Sequence, residues 1–161
     1  MSSLASRRAW RCATLGERRA ETPTAHTLVL DVDDWPGHLG GQHVDVRLTA
    51  DDGYQATRSY SIAAPAHGSR LELTVQRVED GEVSTYLTED AVVGDEVEVR
   101  GPLGGWFVWR PEDKAAVLLV AGGSGLVPLM AMVRARAEAG SRAPFRLVAS
   151  VRTPEDRLYV D

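Results

Sequence analysis

Period-two alternation in several short stretches constrains this chain more than any other feature. Leu28, Leu30 and Val32 share one side of residues 27–32. Val44, Val46 and Leu48 alternate with Asp45, Arg47 and Thr49, and Leu71, Leu73 and Val75 with Glu72, Thr74 and Gln76. Val97 and Val99 alternate with Glu96, Glu98 and Arg100. Successive side chains of a strand point to opposite faces, so each stretch has one apolar face to bury. Turn residues separate them: Trp35-Pro36-Gly37, Asp51-Asp52-Gly53, Ala66-His67-Gly68 and Val93-Gly94-Asp95. Many short strands at this spacing predict an antiparallel barrel or sandwich. One short helix fits residues 84–89.

The pattern changes at Arg110-Pro111-Glu112-Asp113, a polar stretch with a proline that marks the predicted boundary between residues 1–110 and 111–161. Next comes the continuous apolar run Val117-Leu118-Leu119-Val120-Ala121, which suits a parallel strand covered on both faces. A glycine-rich turn follows, then a helical pattern over residues 130–139 closed by Gly140, then a strand at 146–151. Strand, loop, helix and strand in that order open a doubly wound α/β sheet. With the sequence ending at Asp161, the expectation is a partial domain of that kind.

Composition narrows the function. Eighteen basic and 23 acidic residues leave a net charge of -5, which argues against a general nucleic-acid-binding surface. Cys12 is the single cysteine, so the chain has no internal disulfide and cannot supply the roughly four thiolates of an iron–sulfur cluster. It is expected as a small apolar residue of a first strand, and no metal site is expected. The longest apolar run, residues 115–121, is far short of the ~20 residues that span a bilayer, so no membrane association is expected. Arg7-Arg8 precedes no apolar segment, and a mature cytoplasmic chain is expected.

Three motifs carry chemistry. In Arg58-Ser59-Tyr60-Ser61 the arginine offers a fixed fork of donors to a phosphate, the tyrosine a flat ring, and Ser61 a hydroxyl for a polar ring edge. A strand would set Arg58 and Tyr60 on one face and Ser59 and Ser61 on the other. In Asp80-Gly81-Glu82-Val83-Ser84, Gly81 permits a tight backbone and Ser84 can cap, and free amides at a helix start favour phosphate. In Gly122-Gly123-Ser124-Gly125-Leu126-Val127-Pro128, glycines let backbone amides approach a pyrophosphate, and Pro128 suits a helix's first turn. Taken singly, each also reads as ordinary structure: an exposed arginine on a strand, an N-cap turn, a strand-to-helix turn.

Together and in this order, the motifs resemble the ferredoxin–NADP reductase superfamily, from about Trp10 to Asp161. Gly41-Gln42-His43-Val44 is similar to that family's Gly-Gln-aromatic-Val strand. The resemblance implies a six-stranded antiparallel flavin-binding barrel followed by a partial nucleotide-binding domain. It implies that Arg58 holds the FAD pyrophosphate, that Tyr60 lies against the flavin, and that Ser61, the candidate catalytic residue, meets the flavin N5 edge. Ser59 belongs to the same signature. The strand running beside the flavin corresponds to residues 73–77, with Val75 and Arg77 as contacts. Gly81, Val83 and Ser84 correspond to the pyrophosphate loop, and Gly122, Gly123, Ser124, Gly125 and Pro128 to the nucleotide loop. Gly94-Asp95 and the run Gly101-Pro102-Leu103-Gly104-Gly105 are similar to the family's closing barrel strand. The family's C-terminal Cys-Gly-Pro-like segment has no counterpart here. The implied activity is transfer of electrons from NADH or NADPH through FAD to an unknown acceptor, protein or small molecule. A non-catalytic barrel that binds a ligand or partner is the alternative, and a reductase using FMN is a third reading.

Overall fold

The computed structural model describes residues 8–160; Arg7 of the Arg7-Arg8 pair and the terminal Asp161 lie outside them. The four alternating stretches form strands β2 (Ala25–Val32), β3 (His43–Thr49), β5 (Arg70–Gln76) and β6 (Glu96–Leu103), and β1 (Trp10–Thr22) and β4 (Gln55–Ser61) join them. They make one six-stranded antiparallel sheet in the order β4-β3-β6-β1-β2-β5. A bridge between Ile62 and Leu73 brings its two outer strands together and closes the sheet into a barrel. The apolar faces meet inside: Leu28, Leu30, Val44, Val46, Leu71, Leu73, Val75 and Val99 are all buried in one cluster. Full burial of a Val or Leu side chain contributes about 1.5–3 kcal/mol, so this shared interior is what turns separate strands into a barrel.

β1 carries a register slip between Leu15 and Glu17, which sets Arg18 opposite the buried Leu28. The expected short helix lies within a longer turn. Helix α1 (Glu82–Thr85) runs into a wider π-helical turn at Tyr86–Asp90. Val83, Leu87 and Ala91 of this segment are buried in the barrel cluster, so it plugs one end of the barrel. Cys12 does lie on β1, but it is exposed rather than packed as a small apolar residue, because Ala13 and Leu15 occupy the buried face of that strand and Cys12 the other.

Beyond the barrel, β7 (Val117–Gly122) and β8 (Phe145–Ser150) form a two-stranded parallel sheet joined by α2 (Leu126–Glu138). The helix starts at Leu126, earlier than the expected residue 130, since Pro128 is accommodated in the first turn, where no intrahelical N–H bond is needed. It ends at Gly140, whose φ of +60° suits only glycine without strain. There the Gly140 N–H bonds the Ala137 carbonyl and the Ser141 N–H bonds the Arg136 carbonyl, satisfying the last turn. The expectation that residues 117–121 are covered on both faces is not met. Leu119 and Ala121 are buried under α2, while Leu118 and Val120 are 64% and 67% exposed on the other face. Among the described residues the second face has no covering element.

The second unit sits on the barrel. Ala25 and Ala63 of the barrel region join Trp109, Leu119, Leu126, Val127, Leu129 and Met132 in one buried cluster. The Arg134 guanidinium donates to the Ala63 carbonyl at 2.6 Å. Tyr159 donates to Thr74 Oγ1 at 2.6 Å, Thr74 shares a 2.8 Å bond with Thr27, and Thr27 donates to Glu21 at 2.6 Å. A carboxylate only accepts, so the hydroxyls all point one way, from Tyr159 towards Glu21.

The loop from β2 to β3 is pinned by His38. Trp35 Nε1–H donates to its Nδ1 at 3.0 Å, so Nε2 carries the proton that meets the Ala64 carbonyl at 2.7 Å. The ring is thereby set neutral, and burial pushes its titration below the ordinary value of about 6.5. His26 is shifted the same way, by burial first and then by the Arg18 charge. A histidine with a lowered folded pKa binds its proton more readily when unfolded. Stability is therefore full above about pH 6.5 and falls as pH drops towards the folded values, by at most about 1.4 kcal/mol per pH unit for each group. Urea unfolding between pH 8 and 5 should show this loss, and His38→Gln should flatten it; an equal slope in the variant removes His38 from the account.

Candidate functional site

The barrel is closed at one point and open beside it. Pairing between β4 and the β5 side consists of the Ile62–Leu73 bridge and the Ala63 N–H bond to the Glu72 carbonyl. Continuing the antiparallel count would set Tyr60 against Val75 and Arg58 against Arg77. Among the described residues no ladder forms there. Beyond the bridge the two strands run unpaired along a seam, with Arg58, Tyr60 and Ser61 on one bank and Val75 and Arg77 on the other.

Across β3, Val46 faces Arg58 and Val44 faces Tyr60, while Asp45 faces Ser59 and His43 faces Ser61. Tyr60 is half-buried against the barrel cluster. Burial pushes its hydroxyl up to about 12, with Arg58 opposing weakly, so at neutral pH it is a neutral phenol. Arg58 is exposed, and its guanidinium reaches the adjacent Thr57 carbonyl at 2.7 Å. Ser61 is half-buried at the end of β4. Ser59 points to the opposite face, where its hydroxyl donates to Asp45 at 2.6 Å. Asp45 also receives the Arg100 guanidinium at 2.6 Å. Burial works to raise the Asp45 carboxyl, but the bonds from Ser59 and Arg100 outweigh it and hold the group below the usual range.

The far bank ends in the barrel plug. Val75 is fully buried. The Arg77 backbone N–H bonds the Thr24 carbonyl at 2.8 Å, and its side chain pairs with Glu89. Ser84 is buried; its hydroxyl accepts the Val78 N–H at 3.1 Å and donates to the Gly81 carbonyl at 3.3 Å. A Cβ at Gly81 would lie 2.6 Å from that hydroxyl and 3.0 Å from the Val78 carbonyl, so only glycine leaves this turn as tight as it is. Val83 faces the barrel core, leaving the backbone of the turn as its outward surface. Tyr54, just before β4, donates to Glu82 at 3.0 Å and ties the near bank to the plug.

Gly122, Gly123, Ser124 and Gly125 make an exposed turn between β7 and α2 that packs alongside β5. A Cβ on Gly122, Gly123 or Gly125 would meet nothing within 4 Å, so no packing inside this chain demands those glycines. Pro128 is the third residue of α2. All three sequence motifs therefore gather around β5.

Residues 15–108 match the family described as the oxidoreductase FAD-binding domain. The chain belongs to that family. Among relatives of this FAD-binding domain, methane monooxygenase component C of Methylosinus trichosporium is 36% identical over 121 residues, covering 75% of this chain and 34% of the relative. The NADH oxidoreductase HCR of Escherichia coli strain K12 is 34% identical over 145 residues, covering 88% of this chain and 43% of the relative. Among solved structures, the Amycolatopsis cytochrome P450 reductase GcoB superposes with a TM-score of 0.80 at 28% identity, covering 94% of this chain and 46% of that one. The FAD-binding domain described here thus spans less than half the length of these proteins.

The sequence placed Gly41 and Gln42 in a Gly-Gln-aromatic-Val strand without giving either a role, yet they fasten the site. Gln42 is buried: its side-chain oxygen accepts the Leu39 N–H at 2.8 Å, its amide donates to the Gly104 carbonyl at 2.7 Å, and its backbone carbonyl accepts the Ile62 N–H at 3.0 Å. It thereby sets where β4 ends and where Ser61 sits. Its neighbour Gly41 has a φ of +101°, and a Cβ there would lie 1.9 Å from the Phe107 carbonyl. Gly41→Ala should therefore destabilise the domain by well over about 1 kcal/mol in chemical unfolding, beyond the strain of φ alone. Gly53→Ala, at a φ of +88° in open space, is the control that carries strain without collision. Equal losses in the two variants would refute the steric argument.

Proposed function

We propose that this chain is the flavin-holding part of an oxidoreductase that passes electrons between NADH or NADPH and an acceptor through FAD. The observation that carries the reading is the seam where β4 and β5 stop pairing, with all three motifs placed around it. The residues present fit a dinucleotide there. Arg58 is an exposed guanidinium with only a local bond, the Gly81 turn offers backbone with no side chain in the way, and Tyr60 presents a half-buried ring.

In this reading Arg58 and the turn from Gly81 to Ser84 hold the pyrophosphate. Tyr60 and Val75 bound the flavin ring, and Ser61 donates a hydrogen bond to its N5 edge. Ser59 acts through Asp45, keeping β4 in register, and Arg77 acts through Glu89 on the plug. The turn from Gly122 to Gly125, with Pro128 behind it, receives the phosphates of the nicotinamide nucleotide. Bound FAD supplies the electron exchange itself, while the protein supplies position and electrostatics. We place the protein in the cytoplasm, with a soluble small molecule or an electron-carrying protein as acceptor. The similarity to the E. coli NADH oxidoreductase and to methane monooxygenase component C supports a redox role over a non-catalytic binding barrel.

Two substitutions test the assignments. Arg58→Ala removes a charge-assisted contact worth about 1.5–3 kcal/mol, so FAD affinity should fall by roughly tenfold or more in fluorescence titration of apo-protein. Unchanged affinity would make Arg58 an ordinary surface arginine. Ser61→Ala should leave FAD affinity nearly intact but slow flavin bleaching by excess NADH, by on the order of 100-fold if the donor acts in a dry site. Equal stopped-flow rates would take Ser61 out of the reaction. Flavin released from the purified protein, identified by chromatography, separates FAD from FMN.

A further inference from the structure

We infer that Arg18 is a positioning residue for FAD: a clamp reaching through the barrel end that holds the pyrophosphate turn in its binding shape. The inference rests on the flavin reading above.

The slip in β1 at Gly16 is the origin. It rotates the strand so that Arg18, rather than its neighbours, falls opposite the fully buried Leu28, on the inner face of the sheet. Glu17 and Arg19 remain outside and pair with each other at 2.7 Å. From the inner face the Arg18 guanidinium reaches the plug, donating to the Thr88 carbonyl through one terminal nitrogen and to the Ala91 carbonyl at 3.3 Å through the other. These carbonyls lie at the C-terminal end of the helical segment, where acceptors are left without intrahelical partners and a cation is favoured.

The contact continues to the ligand turn without a break. Thr88 is buried and its hydroxyl donates to the Ser84 carbonyl at 2.7 Å. The Ser84 hydroxyl in turn fastens the Val78 N–H and the Gly81 carbonyl. One hydrogen-bonded line therefore runs from β1 through Thr88 to the backbone that faces the seam. An arginine at a barrel end is costly to desolvate. Here its Nε is buried without a hydrogen-bond partner, as is the nearby His26 Nδ1 on the same inner face, so the site forgoes part of its polar bonding to keep the guanidinium where it is. A core built for stability alone would place an apolar residue there.

The test compares the parent chain with Arg18→Met and Arg18→Lys. FAD affinity is read by flavin fluorescence, and amide hydrogen exchange is followed by region in the apo-protein. Arg18→Met should weaken FAD by roughly tenfold or more, since two buried carbonyls lose their donor. It should speed exchange over residues 82–91 while β2 and β5 keep the parent rates. Arg18→Lys, which can still donate to both carbonyls, should recover most of the affinity. Parent-like FAD affinity in Arg18→Met overturns the clamp, and so does faster exchange spread evenly over the barrel, which would mark Arg18 as general scaffolding. A parent chain that takes up no FAD overturns the flavin reading, and the clamp's role with it.

Discussion

The bridge between Ile62 and Leu73 decides how the rest of this molecule is arranged. A six-stranded sheet with two free outer strands exposes two rows of unpaired backbone groups, and closure removes them. Here closure is made at a single point, and pairing stops immediately beyond it. The seam keeps backbone donors and acceptors available to a ligand along two banks whose spacing is set by the rest of the barrel. Gln42 holds the bridge in place from one side, by accepting the Ile62 N–H while anchoring the Leu39 and Gly104 turns.

Around that seam the polar groups are fastened in chains rather than pairs. On the outer barrel surface, Arg47 and Arg100 lie 4.1 Å and 4.7 Å from the centroid of the same Trp10 ring. Glu98 takes two bonds from Arg47, and Asp45 joins Arg100 to Ser59. An exposed ion pair alone contributes about 0–1 kcal/mol. A linked set that spans β1, β3, β4 and β6 acts instead on geometry, by fixing how four strands lie against each other. The Tyr159–Thr74–Thr27–Glu21 line does the same between the second unit and β5, and burial, opposed by the Thr74 bond, raises the Tyr159 hydroxyl to about 12, which keeps it a donor.

What the sequence revealed, and what it hid, follows from the range of each signal. β2, β3, β5 and β6 were legible because their alternation is unbroken. β1 was expected only as a first strand holding Cys12, without bounds or faces, because Gly16 interrupts the period and an arginine occupies an inward position. The three motifs were legible as local strings. Ser59 was grouped with its neighbours by that same adjacency, although the strand turns it to the other face. Arg18 and Thr88 carry no local signature, and the string around Gln42 marked a strand but not its role; that role comes from partners that are tens of residues away in the chain. The apolar run at residues 117–121 announced a strand correctly but not how many layers would cover it, since periodicity reports what a strand can bury and not what is there to bury it.

β6 lies between β3 and β1, at the centre of the sheet, yet it is the last barrel strand along the chain. Until it pairs, β1-β2-β5 and β3-β4 are antiparallel pieces joined only at the Ile62–Leu73 bridge, each with an unsatisfied inner edge. A ribosome releases both halves, complete with Arg58, Tyr60 and Val75, before it releases the strand that joins them. The nascent chain therefore spends that interval with both banks of the seam made but their spacing not yet fixed. Capture of a flavin is ordered after the emergence of residues 96–103, and premature edge-to-edge pairing of the two halves is the hazard that a chaperone would have to prevent.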